Sequence, residues 1–167
     1  KGLVYEGYKA MQLCPRCGTT LSNFEVAQGY KDVTDLAVTV KLPLVDEPGT
    51  SLLAWTTTPW TLPGNMAAAV NPNEVYVKVK VADAFYIIAK KLNKLDGEVV
   101  AEMKGSELVG KSYTPPFDSF KSHNHKHMDN AWKVYAGDFV TMDTGTGIVH
   151  IAPAFGADDL ALAQKEN

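Results

Sequence analysis

The chain has 167 residues and a formal net charge of -3, enough for one ordinary domain with a short appendage. Hydrophobic residues make up 46% and charged residues 21%, which is the range of globular folds. The 13 Gly and 9 Pro are scattered, which excludes collagen-like and low-complexity chains. No apolar stretch approaches the roughly 20 residues that span a bilayer, and no segment reads as a signal peptide, so no membrane partner is expected. The chain carries one Arg, Arg16, among 16 basic residues. Autonomous tight binding to a nucleic-acid backbone favours a basic, often Arg-rich surface and is not expected. Contact with one end of an RNA held by another body remains compatible. Both Cys lie in Cys14-Pro15-Arg16-Cys17; without a disulfide framework the chain fits a reducing compartment, and the cytoplasm is the expected location.

The chain opens on Lys1 inside an apolar pattern (Leu3, Val4, Tyr5) and closes on Lys165-Glu166-Asn167; a domain excised from a longer protein is expected. Strands are predicted over Ala37–Leu42 and Ser51–Thr57. Val75–Val81 alternates apolar and polar residues and is predicted to pair as a hairpin with Ala84–Ala89. Further strands are predicted at Glu98–Met103, Lys133–Tyr135, Phe139–Met142 and Ile148–Ile151. Short helices are predicted at Lys90–Leu95, Ser106–Val109 and Asp158–Asn167, the last capped by Asp158. Many short strands with few helices predict a mainly β fold, a β-barrel or sandwich with helical decoration. A doubly wound parallel sheet would need regular helices between its strands, and they are missing.

Two segments carry candidate chemistry. In Trp55-Thr56-Thr57-Thr58-Pro59-Trp60-Thr61-Leu62-Pro63-Gly64-Asn65, four Thr fall within six residues where a strand gives way to a Pro-punctuated turn. Each hydroxyl donates one hydrogen bond and accepts others, so the rim suits a ligand rich in hydroxyls and carbonyls; β-propensity alone also favours Thr here. In Asp143-Thr144-Gly145-Thr146-Gly147-Ile148-Val149-His150, two glycines allow a close approach or a sharp bend ahead of a strand. The following loop, Ile151 to Asp159, has His150 at one end and the acids Asp158 and Asp159 at the other, where an acid could bind an ammonium group. Cys14-Pro15-Arg16-Cys17-Gly18 reads as half a zinc knuckle, since structural zinc takes four ligands. His123, His125 and His127 alternate in a polar segment and read as a loop rather than as the missing ligands. The common hydrolase, zincin and dinucleotide signatures are absent.

The motifs TTTPWTLPGNMAAAVNP (Thr56–Pro72) and TGTGIVHIAPAFGADD (Thr144–Asp159) resemble the editing domain, often called CP1, of bacterial isoleucyl-tRNA synthetases. This is the insertion that interrupts the catalytic domain of class I synthetases. CPRCG and EVAQGYKDV (Glu25–Val33) match its stalk. Thr58 stands where the valyl and leucyl relatives typically have Arg, which favours the isoleucyl branch. The resemblance implies a closed β-barrel with short peripheral helices over residues 34–167, and a stalk with half a zinc knuckle over residues 1–33. It implies hydrolysis of misacylated Val-tRNA(Ile) by a water positioned at the aminoacyl ester, with isoleucine excluded. Asp159 is then the acid that binds the α-ammonium, and Thr58 and Asn65 join it as catalytic positions. Thr56, Thr57, Trp60, Thr61 and His150 are substrate-binding, with His150 walling the side-chain pocket, Trp60 a mobile cover, and Thr61 and Asn65 tied to editing through loop shape. The implied partners are the 3′ end of misacylated tRNA and the remainder of the synthetase chain, and the domain is expected to be a monomer. No cofactor is expected in this stretch. Zinc at Cys14 and Cys17 and ATP binding belong to the full-length enzyme. The alternative from another class is a non-catalytic barrel that binds an amino acid or a tRNA 3′ end.

Overall fold

The computed structural model describes residues 2–118, 120 and 128–166. Strands β1 (Leu13–Cys14) and β2 (Thr19–Thr20) form a small antiparallel hairpin, closed by the Gly18 N–H on the Cys14 carbonyl at 2.8 Å. Helix α1 (Asn23–Ala27) was not expected from the sequence. The Ser22 hydroxyl accepts from the Glu25 N–H at 3.3 Å, and the Glu25 carboxylate accepts from the Ser22 N–H at 2.8 Å. This reciprocal box satisfies two donors that so short a helix leaves free. Large apolar side chains of this region face solvent, among them Leu3, Val4, Tyr5, Tyr8, Phe24 and Tyr30.

The body follows as β3 (Val38–Pro43), β4 (Thr50–Thr56), β5 (Ala67–Val70), β6 (Val75–Val81), β7 (Ala84–Ala89), β8 (Glu98–Lys104), α2 (Gly105–Leu108), β9 (Val134–Ala136), β10 (Ile148–Ile151) and α3 (Ala157–Glu166). A five-stranded sheet runs β3-β4-β7-β6-β8 and a three-stranded sheet runs β10-β5-β9. The predicted hairpin is present, with Val81 opposite Ala84 and Tyr76 opposite Ala89. Between the sheets lies the main core. Leu42, Leu52 and Ile87 of the larger sheet pack in one cluster with Val70, Val134 and Ile148 of the smaller, and burial of such side chains is the principal stabilising term. Isolated bridges, Leu44 to Tyr113 and Ser112 to Lys133, join the sheets along one side. On the other side the Ala89 N–H reaches the Thr146 carbonyl at 2.9 Å.

The fold is therefore mainly β with short helices. The ladders among the described residues form two sheets, and the expected closed barrel does not appear as one continuous ring. Strand β5 was missed, because Ala-Ala-Ala-Val has little strand propensity of its own. All four residues are buried between β9 and β10, so tertiary context makes the strand. Phe139–Met142 is not a strand. The Val140 N–H closes a turn on the Gly137 carbonyl at 3.1 Å, and the Val140 carbonyl accepts from the Asn71 side chain at 3.2 Å. The helix expected at Lys90–Leu95 is a 3-10 turn over Lys90–Leu92, ended where the Asn93 side chain accepts from the Leu95 N–H at 3.1 Å. Helix α3 begins one residue earlier than predicted. Asp158 and Asp159 thus both sit in its first turn, where the helix dipole favours negative charge, and Asp158 is not the cap.

Tyr76 ties the larger sheet to the turn before β10. Its ring is fully buried; its hydroxyl donates to the Gly147 carbonyl at 2.7 Å and accepts from the Asn71 N–H at 3.0 Å. Burial pushes its pKa up to about 12, so the phenol stays neutral. Replacing Tyr76 by Phe leaves both backbone partners without the hydroxyl. A loss of about 1–3 kcal/mol is expected, read as a lower thermal midpoint; an unchanged midpoint would mean that Gly147 and Asn71 find other partners.

Candidate functional site

The Thr-rich segment leaves β4 at Thr56 and folds into a 3-10 turn over Pro59–Gly64. Pro59 begins the turn with its φ already set. The Thr56 hydroxyl accepts from the Thr58 N–H at 3.0 Å, and the Thr61 N–H closes on the Thr58 carbonyl at 3.0 Å. These bonds gather the Thr56, Thr58 and Thr61 hydroxyls into a chain with spacings of 3.2 and 3.4 Å.

The second motif arrives from the other sheet. In β10, His150 lies opposite Ala68, whose small side chain leaves the imidazole room. The chain turns at Pro153–Phe155 and enters α3. Asp159 reaches back across this loop, and its Oδ1 accepts from the Ala152 N–H at 2.7 Å. One carboxylate oxygen is thereby committed to fixing the loop. Gly145 and Gly147 hold φ of 79° and 73°, as the bend expected of them requires. A Cβ on Gly145 would meet the Trp55 ring at 2.8 Å, and one on Gly147 would collide with the Ala89 side chain.

The two motifs enclose a cavity of about 170 Å³ lined by Trp55, Thr56, Thr58, Thr61, Val149, His150, Ala152, Phe155 and Asp159. Five of the residues singled out in the sequence thus meet in one place: Thr56, Thr58, Thr61, His150 and Asp159. The link between motifs is direct, with Thr61 Oγ1 2.9 Å from His150 Nε2 across 89 positions of chain. Thr57 and Trp60 are exposed and do not line the cavity, Trp60 at 62%. Trp55, Val149, Ala152 and Phe155 were missed. Their signal was position alone: Trp55 precedes the Thr run, and the other three adjoin His150 or lie between it and Asp159. A larger cavity of about 630 Å³ adjoins the site, sharing Phe155 with it. Its wall is mainly apolar, including Met66, Met128, Tyr135 and Leu162, so the concentration of reactive groups is in the smaller one.

His150 is 7% exposed. Burial lowers its pKa below 6.5, partly offset by the Asp159 charge, so the ring is neutral at pH 7. Among the described residues its buried Nδ1 has no partner. The lining residues include no Ser or Cys, and the Thr61 hydroxyl that meets His150 Nε2 also lies 2.8 Å from the Thr58 carbonyl, to which it donates.

Asn65 lies behind the cavity rather than in its wall. It is 3% exposed. Its Nδ2 donates to the Ala67 carbonyl at 2.9 Å, its Oδ1 accepts from the Tyr113 hydroxyl at 2.7 Å, and its carbonyl accepts from the Trp132 indole at 3.1 Å. Replacing Asn65 by Ala is expected to cost about 2–4 kcal/mol, since it removes two side-chain bonds and leaves the Tyr113 hydroxyl buried and unpaired. Adding Tyr113→Phe to Asn65→Ala should recover part of that loss in a denaturant melt. A double variant less stable than Asn65→Ala would count against this account.

Cys14 and Cys17 meet with their sulfurs 2.7 Å apart, and the Cys17 N–H points at Cys14 Sγ at 3.4 Å. The Cys17 side chain and backbone lower the Cys14 pKa, while Cys17 is raised. A turn of this kind fits two of the four positions of a tetrahedral metal. Among the described residues no cluster of three or more His, Cys, Asp or Glu could hold a metal. His123, His125 and His127 lie outside the described residues.

The sequence profile of the tRNA synthetases class I (I, L, M and V) matches residues 1–132. An isoleucine–tRNA ligase of Bacillus thuringiensis (strain Al Hakam) is 51% identical over 99% of the chain, which spans 16% of that relative's length. The chain resembles the solved structure of GlLeuRS-CP1 with a TM-score of 0.63 at 20% identity, covering 78% of this chain and 60% of that one. It resembles the editing domain of the P. knowlesi cytosolic leucyl-tRNA synthetase with a TM-score of 0.57 at 18% identity, covering 77% and 60%. The structural likeness establishes a shared fold, no helix among the described residues is long and apolar enough to cross a membrane, and the sequence match establishes that the chain belongs to the class I tRNA synthetase family.

Proposed function

We propose that the cavity is the editing site of an isoleucyl-tRNA synthetase and that it hydrolyses valine from misacylated tRNA(Ile). The observation that carries this reading is the convergence of Asp159, His150 and three Thr hydroxyls on one small cavity. Asp159 keeps one oxygen for the loop and has the other to receive the α-ammonium of the esterified amino acid. The Thr56 and Thr58 hydroxyls bind the ester and the terminal adenosine. His150 and the apolar lining residues bound the side-chain space. An aminoacyl ester is already activated, so no enzyme nucleophile is required. A positioned water adds to the carbonyl carbon, the ester C–O bond breaks, and the ribose oxygen leaves with a proton, assisted by its neighbouring hydroxyl. One methylene in an apolar pocket is worth only about 1–3 kcal/mol, a general figure for which isoleucine against valine on isoleucyl-tRNA synthetase is the standard illustration rather than a result of this structure. A second, smaller sieve answers that limit.

The same reading makes the isolated bridges between the two sheets the closure of a barrel over residues 34–167. Residues 1–33 become a stalk whose exposed Leu3, Val4, Tyr5 and Tyr8 pack on the rest of the synthetase, in the cytoplasm. Zinc joins Cys14 and Cys17 when the longer chain supplies a second ligand pair. The 3′ end of the tRNA is the partner at the cavity; the rest of the enzyme grips the tRNA body, which suits a domain with a charge of -3.

Asp159→Ala is expected to slow release of valine from Val-tRNA(Ile) by one to two decades, as loss of a charge-assisted contact of about 1.5–3 kcal/mol requires. A parent-like rate in the folded variant would remove Asp159 from the site. His150→Ala is expected to raise hydrolysis of correctly charged Ile-tRNA(Ile) relative to Val-tRNA(Ile). The two rates are measured at equal enzyme; an unchanged ratio would take His150 out of the sieve. A protein that releases neither amino acid would instead be the non-catalytic binding barrel.

A further inference from the structure

His150 can carry its proton on either ring nitrogen, and the hydrogen bond made by one nitrogen decides the other. The Thr61 hydroxyl has a single proton. It donates that proton to the Thr58 carbonyl at 2.8 Å. Thr61 Oγ1 also lies 2.9 Å from His150 Nε2, and with its proton committed it accepts there. The proton of the neutral ring is therefore on Nε2, and Nδ1 carries a lone pair. The opposite tautomer would leave a buried Nδ1–H with no acceptor among the described residues, and an orphaned donor is rarer in folded proteins than an under-used acceptor. Burial holds the ring neutral against the nearby Asp159 carboxylate.

The resulting Nδ1 lone pair has no partner in the described structure, in a residue that is 7% exposed and lines the cavity. A buried polar atom left unsatisfied calls for an explanation. Asp159 Oδ2 is the charged acceptor in this wall and suits a cation. A neutral imidazole nitrogen suits an O–H donor.

We propose that Thr61 is a positioning residue that fixes the Nε2–H tautomer of His150, and that Nδ1 is thereby kept as a neutral acceptor for an O–H group brought in with the substrate. The O–H group is the free hydroxyl of the terminal ribose or the attacking water; this acceptor role rests on the editing reading, whereas the tautomer does not. Thr61 then acts through His150 rather than by touching substrate, which revises its expected part in binding.

The test is the nitrogen NMR spectrum of the ¹⁵N-labelled protein at neutral pH, read at His150 in the parent, Thr61→Ser and Thr61→Val. The parent and the Ser variant should show one tautomer, with the proton on Nε2, and the Val variant should lose that single-tautomer signature. A parent spectrum with the proton on Nδ1, or a Val variant identical to the parent, overturns the assignment. The acceptor role is read with valine joined by an amide bond to the terminal ribose of adenosine, with and without the neighbouring ribose hydroxyl. Binding should shift the Nδ1 resonance toward a hydrogen-bonded position. A shift only with the hydroxyl present assigns the ribose as donor, and a shift with both probes assigns water. A bound probe that leaves Nδ1 unmoved overturns the acceptor role alone. A probe that does not bind overturns the acceptor role and the editing reading together, while the variant spectra still decide the tautomer.

Discussion

Asn65 joins the threonine turn to both sheets through one buried amide and its carbonyl. Its Nδ2 is committed to Ala67 at the head of β5, its Oδ1 to Tyr113, and its carbonyl to Trp132. Tyr113 in turn pairs with Leu44, the residue that follows β3. The turn that carries Thr58 and Thr61 is thus pinned where the two sheets approach. A buried amide in an apolar setting is tolerated only when its groups are paired, and here they are. The same pairing commits the Asn65 amide to the fold and makes it the fixed point from which the Thr hydroxyls are measured.

From that fixed point the cavity is built by contrast. One side supplies neutral oxygens in a chain of Thr hydroxyls, and the other supplies a carboxylate and a neutral imidazole. With His150 uncharged, Asp159 is the charged side chain among the lining residues. A site with one fixed negative group and many neutral polar groups is suited to a small cation attached to a hydroxyl-rich body. It is poorly suited to a phosphate, whose charge would face Asp159 in a partly desolvated space.

Residues 2–33 have a different character. Cys14 and Cys17 are held by a hairpin of two two-residue strands, and helix α1 has a complete capping box but no buried residue. Large apolar side chains lie in solvent throughout this part, Leu3 at 84% and Tyr8 at 90%. The two sheets, by contrast, bury their own core.

The sequence alone determined the class of fold, since alternation over Val75–Val81 and the hairpin to Ala84–Ala89 need only local pattern. It also singled out five residues that the fold brings to one cavity, Thr56, Thr58, Thr61, His150 and Asp159, because clustered Thr, a His after Gly-Thr-Gly and paired acids are unusual as types and spacings. Tertiary structure alone decided β5, because an Ala-rich segment becomes a strand only when neighbours on both sides complete its ladders. It decided that Phe139–Met142 is a turn, because the Asn71 side chain claims the Val140 carbonyl. Above all it separated Asn65 from Thr58 and Thr61, residues indistinguishable by motif. Which of them lines the cavity depends on where Tyr113, Trp132 and His150 stand, and those partners lie 48 to 89 positions away in the chain. Local pattern sets which side chains are available, and only the packing of distant elements sets which polar groups are already satisfied and which remain free to act.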